Sequence, residues 1–297
     1  MINSLLRFLK VCVVFRIGKS YGDQLCISGF LREFSIKNKE RIVVISNNAD
    51  FFLNNPNISL NIGLKKISNF ALRVLRRFQG TNLIYFNFDT TSESFESYMR
   101  NSKSKKHIIE LYSHNRISSS YYKNEIFFSD KERNEFEKKF KDIHNYAVIQ
   151  PNTKTTYTPN KEWSFDSFQE VVKELNQVKW IQIGHPDERL LDDVLDYRGL
   201  NFRELFFVIS KAKFALSCEG FVNHICSAFE TKSFVVLSGF HNEGIANYRN
   251  SIFIKGNFKC PEDPCWLLDD CPINKKCIDS ISVKSVVSKI NEINLYN

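Results

Sequence analysis

The chain has 297 residues, 43% of them hydrophobic, so it can bury a proper core in one large domain or two of ordinary size. Its net charge of +8 and pI near 9.0 favour an anionic partner, whether nucleotide phosphate, phosphorylated glycolipid, membrane surface or nucleic acid, without choosing among them. No apolar run near the N-terminus approaches the ~20 residues of a membrane span, and the first ten residues lack the small-residue cleavage site of a secretory signal, so a cytoplasmic protein is expected.

In chain order, short apolar runs alternate with amphipathic stretches, the pattern of a mainly parallel sheet with crossover helices. Val11–Ile17 reads as the first strand, followed by Gly18-Lys-Ser-Tyr-Gly22 and a helix from Asp23 to Phe34. Arg41–Ser46 is a second strand, Lys65–Arg77 a basic helix, and Leu83–Phe88 and Glu125–Phe128 further strand candidates. The charged segment Asp130–Asn145 reads as a connector. A second series then opens with strand Tyr146–Gln150. It continues through helix Phe165–Leu175 (capped by Ser164, with Asp166 in its first turn), strand Trp180–Ile183, helix Phe202–Lys211, strand Phe214–Ser217, helix Gly220–Phe229, strands Phe234–Leu237 and Ile252–Lys255, and a tail helix Val283–Ile293. This gives two α/β halves, 1–145 and 146–297. Such tandem domains commonly hold a ligand at the carboxyl ends of their strands.

Five motifs could carry chemistry. In Gly18-Lys-Ser-Tyr-Gly22-Asp23 the glycines permit a tight turn and close approach of a ligand. The motif is neither GxGxxG nor a P-loop, because Val13 stands where the P-loop needs its leading glycine. Asp23 is then either a functional carboxylate or a first-turn residue stabilised by the helix dipole. Lys161, in Asn160-Lys-Glu-Trp-Ser164, could neutralise a diphosphate, or be a surface lysine beside a packed tryptophan. In Gly184-His-Pro-Asp187-Glu188 the carboxylates could accept hydrogen bonds from ribose, or simply form a polar turn. Ser217-Cys-Glu219-Gly220-Phe-Val-Asn-His224 runs from a strand into a helix whose N-terminus suits an anion, with His224 either functional or a structural hydrogen-bonding residue.

The fifth motif is Cys260, Cys265, Cys271 and Cys277, spaced C-x4-C-x5-C-x5-C. Four thiolates could ligate zinc or iron, or be packed thiols in a proline-containing loop. Cys12, Cys26, Cys218 and Cys226 lie scattered in apolar segments and read as ordinary buried thiols.

The order of these pieces resembles the heptosyltransferase family of bacterial glycosyltransferases (glycosyltransferase family 9). The similarity is strongest from Tyr146 to about Ile281. It rests on Lys161-x-Trp163 with Phe168, Gly184 with Asp187 and Glu188, the element from Glu219 to His224, and the closing Pro-Cys-Trp…Cys-Pro…Cys-Ile. The N-terminal half keeps Arg-Ile-Gly18…Gly22-Asp23 with Leu25, and the Asn54-Asn-Pro-Asn-Ile58 turn. The resemblance implies an α/β GT-B fold, two Rossmann-like domains facing across a cleft. Residues 1–145 would bind the acceptor, and 146–297, with the cysteine loop 260–277, the sugar nucleotide.

It further implies inverting transfer of a sugar, heptose by family default, from an ADP-heptose-like donor without a catalytic cofactor. Asp23 matches the family's general base, with Gly18 and Gly22 in its loop. Lys161 matches the lysine that contacts donor phosphates. Asp187, Glu188, Glu219, Gly220 and His224 fall at the donor site. The sequence departs from the family in having Glu219 for an Asp and Phe221 where the family has Gly, which leaves open a binding protein of the same fold that has lost turnover. The acceptor would be a lipopolysaccharide, another surface polysaccharide or a protein. Nucleic acid is not expected, and peripheral association with the inner membrane surface stays open. Some relatives bind iron through a four-cysteine finger, so the cysteine loop becomes a candidate structural iron or zinc site.

Overall fold

The computed structural model describes residues 2–16, 20–38, 40–77, 82–86, 106–112, 119 and 121–293. Gly18 of the first loop lies outside these residues, as does Asn87–Phe88 of the expected strand Leu83–Phe88. The chain forms two compact units, Met1–Arg133 and Asn134–Asn297.

The first unit is built on four parallel strands, β1 (Val11–Arg16), β2 (Arg41–Ser46), β3 (Leu60–Gly63) and β4 (Leu83–Phe86), in the order β3-β2-β1-β4. Helices α1 (Ile2–Phe8), α2 (Tyr21–Asn38), α3 (Asn69–Arg76) and α4 (Ile108–Tyr112) accompany it. Alternation along the strands divides the core between two faces. Val13, Phe15, Val43 and Ile45 pack with Leu6 of α1 and Leu72 of α3. Cys12, Val14, Ile42 and Val44 point the other way and are fully buried, as are Leu25, Cys26, Phe30 and Leu31 of α2. Helix α2 can come this close to its neighbours because Gly29 lacks a side chain. A Cβ there would stand 2.5 Å from Ile109 Cδ1 and 2.7 Å from the Lys123 carbonyl.

Two short elements, α1 and β3, carry too little pattern to be read from the sequence. Conversely, Glu125–Phe128, which reads as a strand, makes no ladder. Its backbone N–H at Glu125 donates instead to Ser28 Oγ of α2 (2.8 Å), and the Glu125 carboxylate accepts from Asn57 (3.0 Å). The Glu125 N–H is thus satisfied by a side chain and not by a neighbouring strand, which an apolar run cannot reveal.

The second unit carries six parallel strands: β5 (Tyr146–Gln150), β6 (Lys179–Gln182), β7 (Leu195–Asp196), β8 (Phe214–Cys218), β9 (Lys232–Val236) and β10 (Ser251–Ile254). Their order is β10-β9-β8-β5-β6-β7. Counted within the unit this is the doubly wound Rossmann order, which reverses direction between β5 and β8. Its helices are α5 (Asp130–Lys139), α6 (Phe165–Glu174), α7 (Phe202–Lys211), α8 (Phe221–Phe229), α9 (Lys276–Asp279) and α10 (Val283–Asn291). Local signals set their ends. Ser164 Oγ accepts from the Ser167 N–H at the start of α6, and Asn201 with Glu204 forms a capping box on α7.

The units divide inside α5, earlier in the chain than residue 145. The reason is aromatic: Phe136 of α5 packs at a tilt against Phe207 of α7, 5.4 Å between ring centroids, and Phe140 stacks on the same ring at 6.0 Å. The apolar centre of this unit includes Trp163, Phe168, Trp180, Phe214 and Phe234. Among the described residues, no helix is long and apolar enough to cross a membrane.

Candidate functional site

In an open parallel sheet the crevice for a ligand lies outside the carboxyl ends of the strands where the winding reverses. Here that is the end of β5 and β8. After β5 the chain runs to a single 3-10 turn, Pro159–Lys161, opened by Thr158, whose hydroxyl accepts from the Asn160 N–H. After β8 comes Glu219, then Gly220 and α8. The structure brings the two segments together: Lys161 Nζ donates to Glu219 Oε2 at 2.5 Å, with the side chains only 15% and 9% exposed.

Three features fix Lys161 in place. Trp163, two residues on, is buried edge-on against Phe168 (5.0 Å), and its indole N–H donates to the Ile281 carbonyl (3.1 Å). Asn160 Nδ2 donates to the carbonyls of Leu267 and Asp269, and Thr158 Oγ1 to that of Leu267. The ammonium itself lies over the rings of Phe240 and Tyr157, 4.9 and 5.5 Å from their centroids.

Glu219 has a second cationic partner, His241, whose Nδ1 lies 3.0 Å from the same Oε2. Burial is the largest influence on this carboxyl and raises its pKa. Lys161 and His241 together outweigh it and hold the group well below the usual carboxylate range. Glu219 is therefore an ionised, buried carboxylate. His241 packs against Phe240 and Trp266. No motif in the linear sequence singles it out. The available signal is its place just past a strand that lines the same sheet edge.

The other sequence candidates divide. Glu188 lies at the carboxyl end of β6 beneath Gly184, whose φ of +145° disfavours a side chain and whose missing Cβ leaves room for the Glu188 carboxyl. Burial raises the pKa of Glu188, partly offset by His185 and Arg198. Asp187 points outward into solvent beside His185. Gly220 precedes α8 with open space around the position a Cβ would take. Phe221, the first residue of α8, packs edge-on against Phe202 and Phe206 of α7, so the larger side chain turns into the protein. His224 is buried one turn on, its Nδ1 2.7 Å from the Tyr248 hydroxyl.

In the first unit, Asp23 sits in the first turn of α2 at the carboxyl end of β1. Its N–H points to Ser20 Oγ at 3.5 Å, and Gly22 precedes it. Lys161 and Glu219 thus meet directly, Glu188 stands at the next strand end, and Asp187 and His224 are directed elsewhere.

The cysteine loop borders this site. The Cys265 N–H donates to the Gly239 carbonyl (2.9 Å), that of Trp266 to the Phe240 carbonyl (3.3 Å), and the Gly239 N–H to Cys277 Sγ (3.4 Å). Burial raises the Cys265 and Cys277 thiols, and the neighbouring loop cysteines raise them further. The donors suit iron or zinc. Yet among the described residues no three His, Cys, Asp or Glu side chains converge as metal ligands, and all four loop cysteines are free and partly exposed. The other four cysteines are buried, as expected, and burial pushes Cys218 and Cys226 up to about 12.

No protein-family model and no curated protein matches the sequence. Solved structures do. A glycosyltransferase family 9 protein from Veillonella parvula superposes with a TM-score of 0.72 at 12% identity, over 97% of this chain and 98% of that one. The E. coli ADP-heptose lipopolysaccharide heptosyltransferase II gives 0.67 at 11% identity, over 96% and 99%. The iron-containing dodecameric glycosyltransferase TibC of enterotoxigenic E. coli gives 0.69 at 14% identity, over 96% and 76%.

The chain has the GT-B glycosyltransferase fold. In this GT-B chain the second unit carries the full six-stranded Rossmann order, of which the first unit shows the 3-2-1-4 part, and the Lys161–Glu219 pair marks the second unit's switch point.

Proposed function

We propose that the protein is a glycosyltransferase whose second unit holds a nucleotide-sugar donor and whose first unit binds the acceptor. The observation that carries this is the Lys161–Glu219–His241 cluster outside the ends of β5 and β8, where a doubly wound sheet takes its ligand. Solved structures of the same fold include heptosyltransferases described in complex with ADP-D-β-D-heptose and with ADP, which makes an ADP-sugar the first donor to try.

In this reading Lys161 and the N-terminal end of α8 at Gly220 supply the positive potential that a departing diphosphate needs. The open space at Gly220 lets a phosphate approach the backbone. Glu188 accepts from a ribose hydroxyl, with Asp187 at the rim. Glu219 orients Lys161, and His224 holds α8 through Tyr248. Asp23 takes the proton from the acceptor hydroxyl as that oxygen attacks the anomeric carbon, and the bond to the diphosphate breaks with inversion. General-base help of this kind contributes roughly 10²–10⁴-fold. No divalent metal takes part in this scheme. Iron or zinc at Cys260, Cys265, Cys271 and Cys277 would be structural and would draw the thiols together. Metal analysis of the purified protein decides that point. The acceptor is a glycolipid, a polysaccharide or a protein.

A second reading, donor binding without turnover, is favoured by one observation: Lys161 is already neutralised by Glu219. Thermal shift against ADP-, GDP-, UDP- and CMP-sugars tests both, since a ligand at about 100 times its Kd adds ~2.7 kcal/mol of stability. No shift with any nucleotide sugar rules out the donor site. A shift with neither transfer nor donor hydrolysis selects the binding protein. Asp23→Ala should keep the shift and lose transfer.

A further inference from the structure

The positive charge of this chain is not spread along it. Residues 1–77 hold 13 Lys and Arg against 4 Asp and Glu, a net +9, whereas the whole chain is +8. The remaining 220 residues are therefore close to neutral. Within that basic part, two segments carry no acidic residue at all. Residues 1–10 contain Arg7 and Lys10, and residues 60–77 contain Lys65, Lys66, Arg73, Arg76 and Arg77.

The fold places these two segments in one layer. Leu6 of α1, Leu64 and Ile67 of the turn before α3, and Leu72 of α3 all pack on the same face of the first unit's sheet, with Val13, Phe15, Val43 and Ile45. With their inner sides used in this way, their outer sides show an unusual combination. Phe8 is 84% exposed and Phe70 77% exposed, and Leu5 and Leu9 are exposed beside Phe8. Phe70, Arg73 and Arg77 recur at i, i+3 and i+7, so they share one outer stripe of the α3 segment. Leu5 and Phe8 stand at i and i+3 on α1, and Leu9 follows in the turn directly after it. Arg7, Lys10, Lys65 and Lys66 are exposed around them.

Exposed leucines alone are ordinary. Two phenylalanines almost wholly in solvent, on elements of one layer and in basic segments that contain no acidic residue, form an amphipathic surface of the kind that lies in a lipid interface. We propose that the α1/α3 face of the first unit docks on an anionic lipid bilayer. Phe8, Phe70, Leu5 and Leu9 would enter the headgroup–acyl boundary, and the basic residues would pair with anionic headgroups. The partner follows from charge complementarity: each Lys or Arg at an anionic surface contributes roughly fivefold in partitioning. Large apolar rings add what a polyanion alone would not reward. The inference does not rest on the proposed transferase activity.

The test is co-sedimentation of the full-length protein with extruded vesicles of phosphatidylcholine alone and of phosphatidylcholine mixed with phosphatidylglycerol. The protein should bind the anionic vesicles, at least about tenfold better than the neutral ones, and salt should weaken the binding. Phe8→Ser with Phe70→Ser should reduce binding about tenfold while leaving the thermal melt unchanged, because both rings are outside the core. Arg73→Gln with Arg77→Gln should reduce it further and flatten the salt dependence. Equal binding of parent and Phe8/Phe70 variant overturns the proposal. So does failure to bind anionic vesicles. A parent that sediments as a dimer, turned monomeric by the Phe8/Phe70 change and indifferent to lipid, would show instead that the face covers a second copy of the chain.

Discussion

Removing the charge of Lys161 is the sharpest probe of the second unit. Lys161→Met keeps most of the side-chain volume and the apolar stem over Phe240 and Tyr157, but leaves Glu219 buried with His241 alone. The pair is 2.5 Å long, with side chains 15% and 9% exposed. Breaking a buried pair by removing one partner costs about 3–5 kcal/mol, because the remaining charge stays desolvated. The control is Lys173, which pairs with Glu170 at 2.9 Å but with both groups more than half exposed. Solvent screens a pair of that kind, and its charges lose nothing on separation that water does not replace. Lys173→Met should therefore leave stability nearly unchanged. Urea unfolding followed by tryptophan fluorescence is well suited, since Trp163, Trp180 and Trp266 all lie in the second unit. The double variant Lys161→Met/Glu219→Gln should lose less than the sum of its singles, because neither charge is then left behind. Equal unfolding midpoints for Lys161→Met and Lys173→Met would falsify the account of Lys161 as a buried, paired charge.

The same carboxylate gives a pH dependence. Its folded-state pKa lies below the unfolded value of about 4.3. Its stabilising contribution is thus complete above that value and is lost as pH falls through the folded pKa. The stability gap between parent and Glu219→Gln should be widest near neutral pH and close in acid; a gap independent of pH would exclude this linkage. Trp163→Ala should destabilise the second unit by about 3–5 kcal/mol, read from urea midpoints by circular dichroism, and weaken nucleotide-sugar binding through the displaced Lys161 turn. Gly239→Ala would set a Cβ 3.0 Å from Cys260 Cβ and 3.6 Å from Cys277 Sγ. It should cost ~1–3 kcal/mol by overpacking, and hasten alkylation of the loop. Native-state iodoacetamide labelling read by mass spectrometry should modify the four loop cysteines and spare Cys12, Cys26, Cys218 and Cys226; early labelling of Cys218 would contradict its burial.

Much of this protein is legible in its sequence. Buried parallel strands are continuous apolar runs, so β1, β2, β5 and β8 declare themselves, and the caps Ser164 and Asn201 act within three residues of the helices they start. Lys161 and Glu219 can be named because each lies in a segment that follows a strand end. Short elements such as α1, β3 and β7 escape, for a handful of residues holds too little periodicity to register. The tertiary structure alone decides that Lys161 and Glu219, 58 positions apart, form one ion pair and that His241 joins it. It alone turns Phe221 inward against α7 and His224 toward Tyr248. The physical reason is range. Propensity, capping and periodicity act over a few residues along the chain, whereas the pairing of buried charges is set by strand order, which brings the ends of β5 and β8 side by side.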